Sequence, residues 1–160
     1  MKIYRELRLK YGEPKGQWSL WCKRPKTLKN REEVVIGAIL TQRTNWQNVE
    51  LALSNLKKAK INSLKDICRL GEKTLAPFIR PSGFYKTKAE YLFNLAEFIV
   101  KNCGGLAQMK KESLPALRGK LLVLKGIGPE TCDSILLYAL DKPIFVIDEY
   151  TRRFVKKRGL

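Results

Sequence analysis

The sequence predicts an all-α fold: a central helical bundle with a helix-hairpin-helix, plus an incomplete second helical lobe. Three observations predict it. Apolar residues recur at helical spacing along most of the chain. Alternation of β-branched residues is nearly absent outside residues 144–147. Leu124-Lys125-Gly126-Ile127-Gly128-Pro129 reads as a tight glycine turn between two helices, followed by an extended apolar stretch that delivers Asp148 to the start of another helix. With 160 residues, 44% of them apolar, the chain can build one compact domain or two small lobes sharing an interface.

Taken in order, Ile3, Leu7 and Tyr11 predict a basic amphipathic helix over 2–11 that ends at Gly12. Residues 13–29 read as a loop holding Trp18 and Trp21, two large rings that need burial or a ligand. Asn30 with Glu33 predicts a capping-box start for a helix running to Leu40, apolar nearly all round and hence central. Thr44 with Gln47 predicts the next cap, and Trp46, Val49, Leu51, Leu53 and Leu56 supply the following apolar face. Shorter helices are expected over 63–70 and 72–79. Pro81-Ser82-Gly83 precedes a long helix over 84–102, closed by Gly104-Gly105. A helix over 113–123 leads into the glycine turn. The expected division is a central domain over 30–140, with the hairpin motif at 116–139, and a partial second lobe formed by 1–29 with 141–160.

Thirty-two Lys and Arg against fifteen Asp and Glu give a formal charge of +17, concentrated toward both ends of the chain. Such an excess attracts polyanions, nucleic acid first among them, although a generally basic or ribosome-associated protein would show it too. No apolar run approaches the ~20 residues that span a bilayer, and the N-terminus is charged rather than signal-like. A cytoplasmic, nucleoid-associated monomer without membrane contact is expected. There is no histidine, and Cys22, Cys68, Cys103 and Cys132 form no C-x-x-C pair. A zinc site, a histidine base and a Cys/His catalytic pair are therefore disfavoured, and the cysteines are expected to be reduced core residues.

In the turn, each glycine can take positive φ and lets another backbone approach. Gly128 as cap with Pro129 at the first helical position is a favoured helix start. The free N–H groups of that first turn suit a phosphate, and Ile127 should pack inward. Taken alone, this reads first as an ordinary helix corner, and Asp148 as a plain N-cap.

Together, Leu124-Lys125-Gly126-Ile127-Gly128-Pro129-Glu130-Thr131 and Val146-Ile147-Asp148-Glu149-Tyr150-Thr151-Arg152-Arg153 closely resemble the hairpin and catalytic-aspartate segments of the helix-hairpin-helix DNA glycosylase superfamily that includes endonuclease III. Ile36-Gly37-Ala38-Ile39-Leu40-Thr41-Gln42 and Pro81-Ser82-Gly83-Phe84-Tyr85 are similar to its 3-methyladenine DNA glycosylase III branch. The resemblance covers residues 31–158.

It implies a DNA glycosylase fold and hydrolysis of the N-glycosidic bond of a damaged, alkylated purine in double-stranded DNA after base flipping. Asp148 is the implied catalytic residue. Glu130 stands where bifunctional relatives carry a Schiff-base lysine, and a glutamate cannot form that adduct, so base release without strand cleavage is implied. Gln42 is the implied wedge into the DNA stack, although its place at a helix end also suits a C-terminal cap. Trp46, with Trp21 and Trp18, would stack on a cationic base, or else these rings are core. Lys125, Gly126, Ile127, Gly128, Glu130 and Thr131 would bind DNA phosphates.

Relatives continue for several helices past Arg153, so the second lobe is expected to be truncated, with Phe154 and Val155 partly open. The cysteines of cluster-bearing relatives lie in that later region, so no iron–sulfur cluster is expected. The hairpin leaves room for a monovalent cation. A non-catalytic DNA-binding module and a mismatch or oxidised-base glycosylase are the alternative readings.

Overall fold

The computed structural model describes residues 2–13 and 15–159, Lys2 by its backbone only; Pro14, in the expected loop, lies outside them. The described chain is all-helical. It comprises α1 (Lys2–Tyr11), α2 (Gln17–Cys22), α3 (Leu28–Leu40), α4 (Trp46–Lys58), α5 (Leu64–Leu70) and α6 (Glu72–Leu75), which runs into a 3-10 segment (Ala76–Ser82). It continues with α7 (Tyr85–Glu97), prolonged by a π-helical turn (Phe98–Asn102), then α8 (Leu106–Met109), α9 (Leu114–Leu122), α10 (Pro129–Ser134) with its own π-helical turn (Ile135–Ala139), and α11 (Glu149–Arg158).

Helix α3 is the axis of the bundle. Every residue from Val34 to Leu40 is buried, and α2, α4, α7, α8, α10 and the second π-helical turn pack around it. A helix apolar on all sides can be stable in water only when neighbours cover it all round. Its start lies three residues earlier than expected: Thr27, not Asn30, is the N-cap, its side chain accepting the Asn30 N–H at 3.2 Å. Likewise Asn45, not Thr44, caps α4, accepting the Asn48 N–H at 2.9 Å. Thr44 instead accepts from the Asn48 side-chain amide. Both corrections exchange one good capping residue for a nearby one, and the point where the chain leaves the core decides between them.

Three further expectations need revision. The loop over 13–29 contains helix α2, whose Trp21 belongs to the central core at 4% exposure. Leu51 points to solvent, while Val49, Leu53 and Leu56 make the buried face of α4. Only Cys132 of the four cysteines is buried, and Cys22 is exposed. Outside the bundle, α1 and α11 are linked by an Arg158–Glu6 ion pair at 3.6 Å. No residue of α11 is buried, and Val155 is 37% exposed. Among the described residues no helix is long and apolar enough to cross a membrane.

The second π-helical turn is locked to α2 and α3 by charge. Asp141, at φ 56°, pairs with Arg24 (2.5 Å), Arg31 (2.7 Å) and Lys110 (2.9 Å). Arg24 also donates to the carbonyls of Trp21 and Leu137, and Arg31 to that of Ala139. Burial alone would push the Asp141 carboxyl up, but hydrogen bonds from Lys110 and Arg31 and the charge of Arg24 outweigh it and hold its pKa at about 2, below the ordinary 3.8. A carboxyl depressed in the folded state stabilises the fold above its unfolded pKa, and that stability is lost as the pH falls toward the folded value. We expect this cluster to contribute about 2 kcal/mol at neutral pH, lost between about pH 4 and pH 2. Denaturant melts at pH 5 and pH 2.5 check it: the stability difference should shrink in Asp141→Asn by that amount, and an unchanged pH dependence would contradict it.

Candidate active site

The hairpin is built as its sequence suggests. Ser113 caps α9, the turn closes through Leu124 N–H to Leu121 O and Ile127 N–H to Leu124 O, and Pro129 opens α10. Ile127 is buried in the core at 4% exposure. Arg118 on α9 reaches both Asp133 carboxylate oxygens on α10, at 2.8 and 3.3 Å, and braces the two helices. The two glycines differ. Gly126 has φ 84°, and a Cβ on it would fall 2.2 Å from the Tyr91 ring. Gly128 lies at φ −83°, in extended backbone, with nothing within 4 Å of where its Cβ would be. The expectation that both exploit positive φ holds for Gly126 alone.

Beside the hairpin lies an open cleft of about 620 Å³. The end of α3, the residues after Gly83 and the start of α10 form its walls. Trp21, Phe84 and Tyr91 are its aromatic lining, Trp21 with little of its surface exposed. Gly37 on α3 makes room for that indole: a Cβ there would meet Trp21 Cζ2 at 3.2 Å. Trp46 and Trp18 do not line the cleft; both pack edge-on against Trp21, at centroid distances of 6.0 and 5.6 Å. The Trp46 indole N–H donates to Glu50 at 2.9 Å. Of the three tryptophans, Trp21 lines the cleft, and the other two, with Tyr138 at 5.3 Å, pack against it.

Gln42 lines the cleft, but its side chain is engaged. Its amide N–H₂ donates to Gly126 O at 3.0 Å and to Thr131 Oγ1 at 3.1 Å, so it ties α3 to the hairpin. Its neighbour Arg43 is exposed on the rim at φ 51°, and opposite stands Phe84, 67% exposed at φ 46°. Non-glycine residues hold positive φ only where surrounding structure enforces it, and such strain collects at functional sites.

Asp148 ends the irregular segment 141–148 and caps α11, its Oδ1 accepting the Thr151 N–H at 2.6 Å. Capping leaves the carboxylate at the positive end of the helix dipole. It is not among the residues lining the cleft, yet its charge bears on two that flank it. Desolvation raises the pKa of Glu130, and the charges of Asp148 and Glu149 raise it further against Arg152. Burial raises that of Tyr138, with Cys22 and Asp148 contributing. Lys125 on the hairpin is exposed and pairs with Glu90 at 2.7 Å. Among the described residues no three His, Cys, Asp or Glu side chains gather as a metal site.

Sequence reasoning missed Lys88, which lines the cleft and is 2% exposed, its Nζ donating to Leu40 O at 2.8 Å and Ser82 O at 2.6 Å. Burial lowers its pKa to about 8. The signal was present: Lys88 stands in register with Leu92, Leu95 and Ile99, so a charge occupies the apolar face of α7.

Residues 36–160 match the family described as HhH-GPD superfamily base excision DNA repair protein. A Methanocaldococcus jannaschii protein provisionally named a DNA repair glycosylase is 47% identical over 134 residues, covering 82% of this chain and 61% of the relative. Endonuclease III of Thermotoga maritima is 27% identical over 126 residues, covering 79% of this chain and 55% of its own length. The chain thus spans roughly three fifths of the length of these relatives. The crystal structure of H. pylori 3-methyladenine DNA glycosylase bound to 1,N6-ethenoadenine superposes with a TM-score of 0.81 at 38% identity, covering 99% of this chain and 72% of that one. A thermostable thymine-DNA glycosylase shares the fold, with a TM-score of 0.62 at 20% identity and coverage of 96% and 65%. The chain belongs to the HhH-GPD superfamily of base excision DNA repair proteins.

Proposed function

We propose that the protein is a DNA N-glycosylase that hydrolyses the bond between a damaged purine, of the alkylated-adenine class, and its sugar, leaving the DNA backbone intact. The observation that carries this reading is a capping carboxylate, Asp148, whose charge reaches Glu130 in the wall of a cleft that the hairpin borders. The hairpin holds phosphates through the free N–H groups of the first turn of α10. Arg43 and Phe84 on the rim enter the space left by the flipped nucleotide, while Gln42 keeps the hairpin in register. The base enters a cleft lined by the aromatic rings of Trp21, Phe84 and Tyr91, a setting that favours an electron-poor alkylated ring. The ionised Asp148 stabilises positive charge growing on the sugar and orients the attacking water. The 38%-identical H. pylori structure, named for 3-methyladenine and bound to a modified adenine, supports the choice of base.

Loss of lyase chemistry follows from the amines at hand. Glu130 offers none. Lys125 and Lys120 are hydrogen-bonded to Glu90 and Glu112, which raises their pKa values and keeps them protonated. Burial lowers the pKa of Lys88 to about 8, but its ammonium donates to two carbonyls that hold it out of solvent.

The test uses duplexes bearing one 3-methyladenine, 7-methylguanine, 8-oxoguanine or G·T pair, treated with protein and then with hot alkali. Release from the 3-methyladenine duplex, with no borohydride-trapped adduct, is the expected result. Tight binding with no release from any duplex would replace the enzyme by a binding module. A trapped adduct would restore lyase chemistry, and its disappearance in Lys88→Met would name the amine.

A further inference from the structure

We infer that Lys88 is a positioning residue that holds the two rim residues, Arg43 and Phe84, in their strained, DNA-entering conformations; this rests on the glycosylase reading for what the rim is used for. Leu40 is the last residue of α3, and Ser82 the last of the 3-10 segment. The final carbonyls of a helix have no partner within it and carry the negative end of its dipole. The Lys88 ammonium takes one such carbonyl from each, at 2.8 and 2.6 Å.

Three residues beyond Leu40 the chain turns through Arg43, and two beyond Ser82 it turns through Phe84. These are two of the four non-glycine residues at positive φ among those described, and both stand on the rim of the same cleft. One buried side chain thus fixes the departure points of both loops. Lys88 has no carboxylate partner among the described residues, and its burial opposes its charge. A methionine would fill the same space without that cost. What the lysine adds is donation to two separate carbonyls, and those carbonyls lead to the rim.

The experiment compares the wild type with Lys88→Met, Lys88→Arg and Phe84→Ala on two duplexes. One is undamaged; the other carries an abasic analogue opposite 2-aminopurine, whose fluorescence rises when side chains enter the stack and unstack it. Lys88→Met should bind the undamaged duplex as the wild type does, since the hairpin is untouched, but bind the analogue with fluorescence rise about tenfold more weakly, as expected for leaving two buried acceptors without a donor. Lys88→Arg, which keeps the donors, should retain the rise. The Lys88→Met/Phe84→Ala double variant should be no weaker than the poorer single variant, because both changes disable the same rim.

A folded Lys88→Met that keeps the full rise, or a double variant whose losses add, overturns the inference. If Lys88→Met does not fold, a Lys88→Arg variant that folds and has lost the rise overturns it as well. Wild type that gives the rise yet frees no base from any lesion removes the enzymatic reading and leaves the role of Lys88 intact.

Discussion

Asp148→Asn should abolish base release by about a hundredfold or more while leaving fold and DNA binding unchanged. Asparagine caps a helix as well as aspartate does, so the bond from the Thr151 N–H and the start of α11 survive. What disappears is the charge. The variant therefore separates the proposed catalytic role from the cap. Asp148→Ala removes both and should in addition cost about 1 kcal/mol of stability through the lost cap. The charge also bears on Glu130, whose pKa it helps to raise, though less than burial does. In Asp148→Asn the Glu130 carboxyl should accordingly titrate closer to its ordinary value, which carboxyl NMR can follow. Release at the wild-type rate by a folded Asp148→Asn would show that this carboxylate is only a cap.

The parts of this molecule that were legible in the sequence are those specified locally. The second half of helix α3, Val34–Leu40, is apolar on every side, and no other placement than the centre suits such a segment. The hairpin follows from glycines and a proline at fixed offsets, and the cap at Asp148 from a residue three positions before the N–H it accepts. The illegible parts depend on residues far apart in the chain. Trp21, rather than Trp46, faces the cleft because α2 packs on α3 and on a π-helical turn more than a hundred residues later. Asp141 gathers Arg24, Arg31 and Lys110 from three separate elements. The Gln42 amide closes on Gly126 and Thr131, more than eighty residues along the chain, with Arg43 beside it on the rim. Lys88 was missed for a different reason. A lysine on an apolar face is easily set aside as a solvated end, and only the coordinates show its ammonium meeting two helix termini.

Replacing the two hairpin glycines one at a time should give opposite results. Gly126→Ala should destabilise the fold by about 3 kcal/mol, combining a side chain forced to positive φ with overpacking against a neighbour. That loss would lower the melting temperature by about 10 °C in a chain of this size. The clash is with the Tyr91 ring, and Tyr91 sits on α7, so relief requires parting the hairpin from the bundle. Gly128→Ala should change stability by no more than about 0.5 kcal/mol, since its backbone is extended and the space around it is open. Yet Gly128 caps the helix whose first-turn N–H groups are proposed to hold DNA phosphates, and a methyl there would stand between them and an approaching phosphate. DNA affinity should therefore fall in Gly128→Ala while its melting curve overlays that of the wild type. A Tyr91→Ala change should rescue Gly126→Ala in part, by removing the ring that its methyl strikes. If Gly128→Ala bound duplex as tightly as wild type, the glycine would owe its place to neither the fold nor the phosphate, and the hairpin would lose its claim to grip DNA through α10.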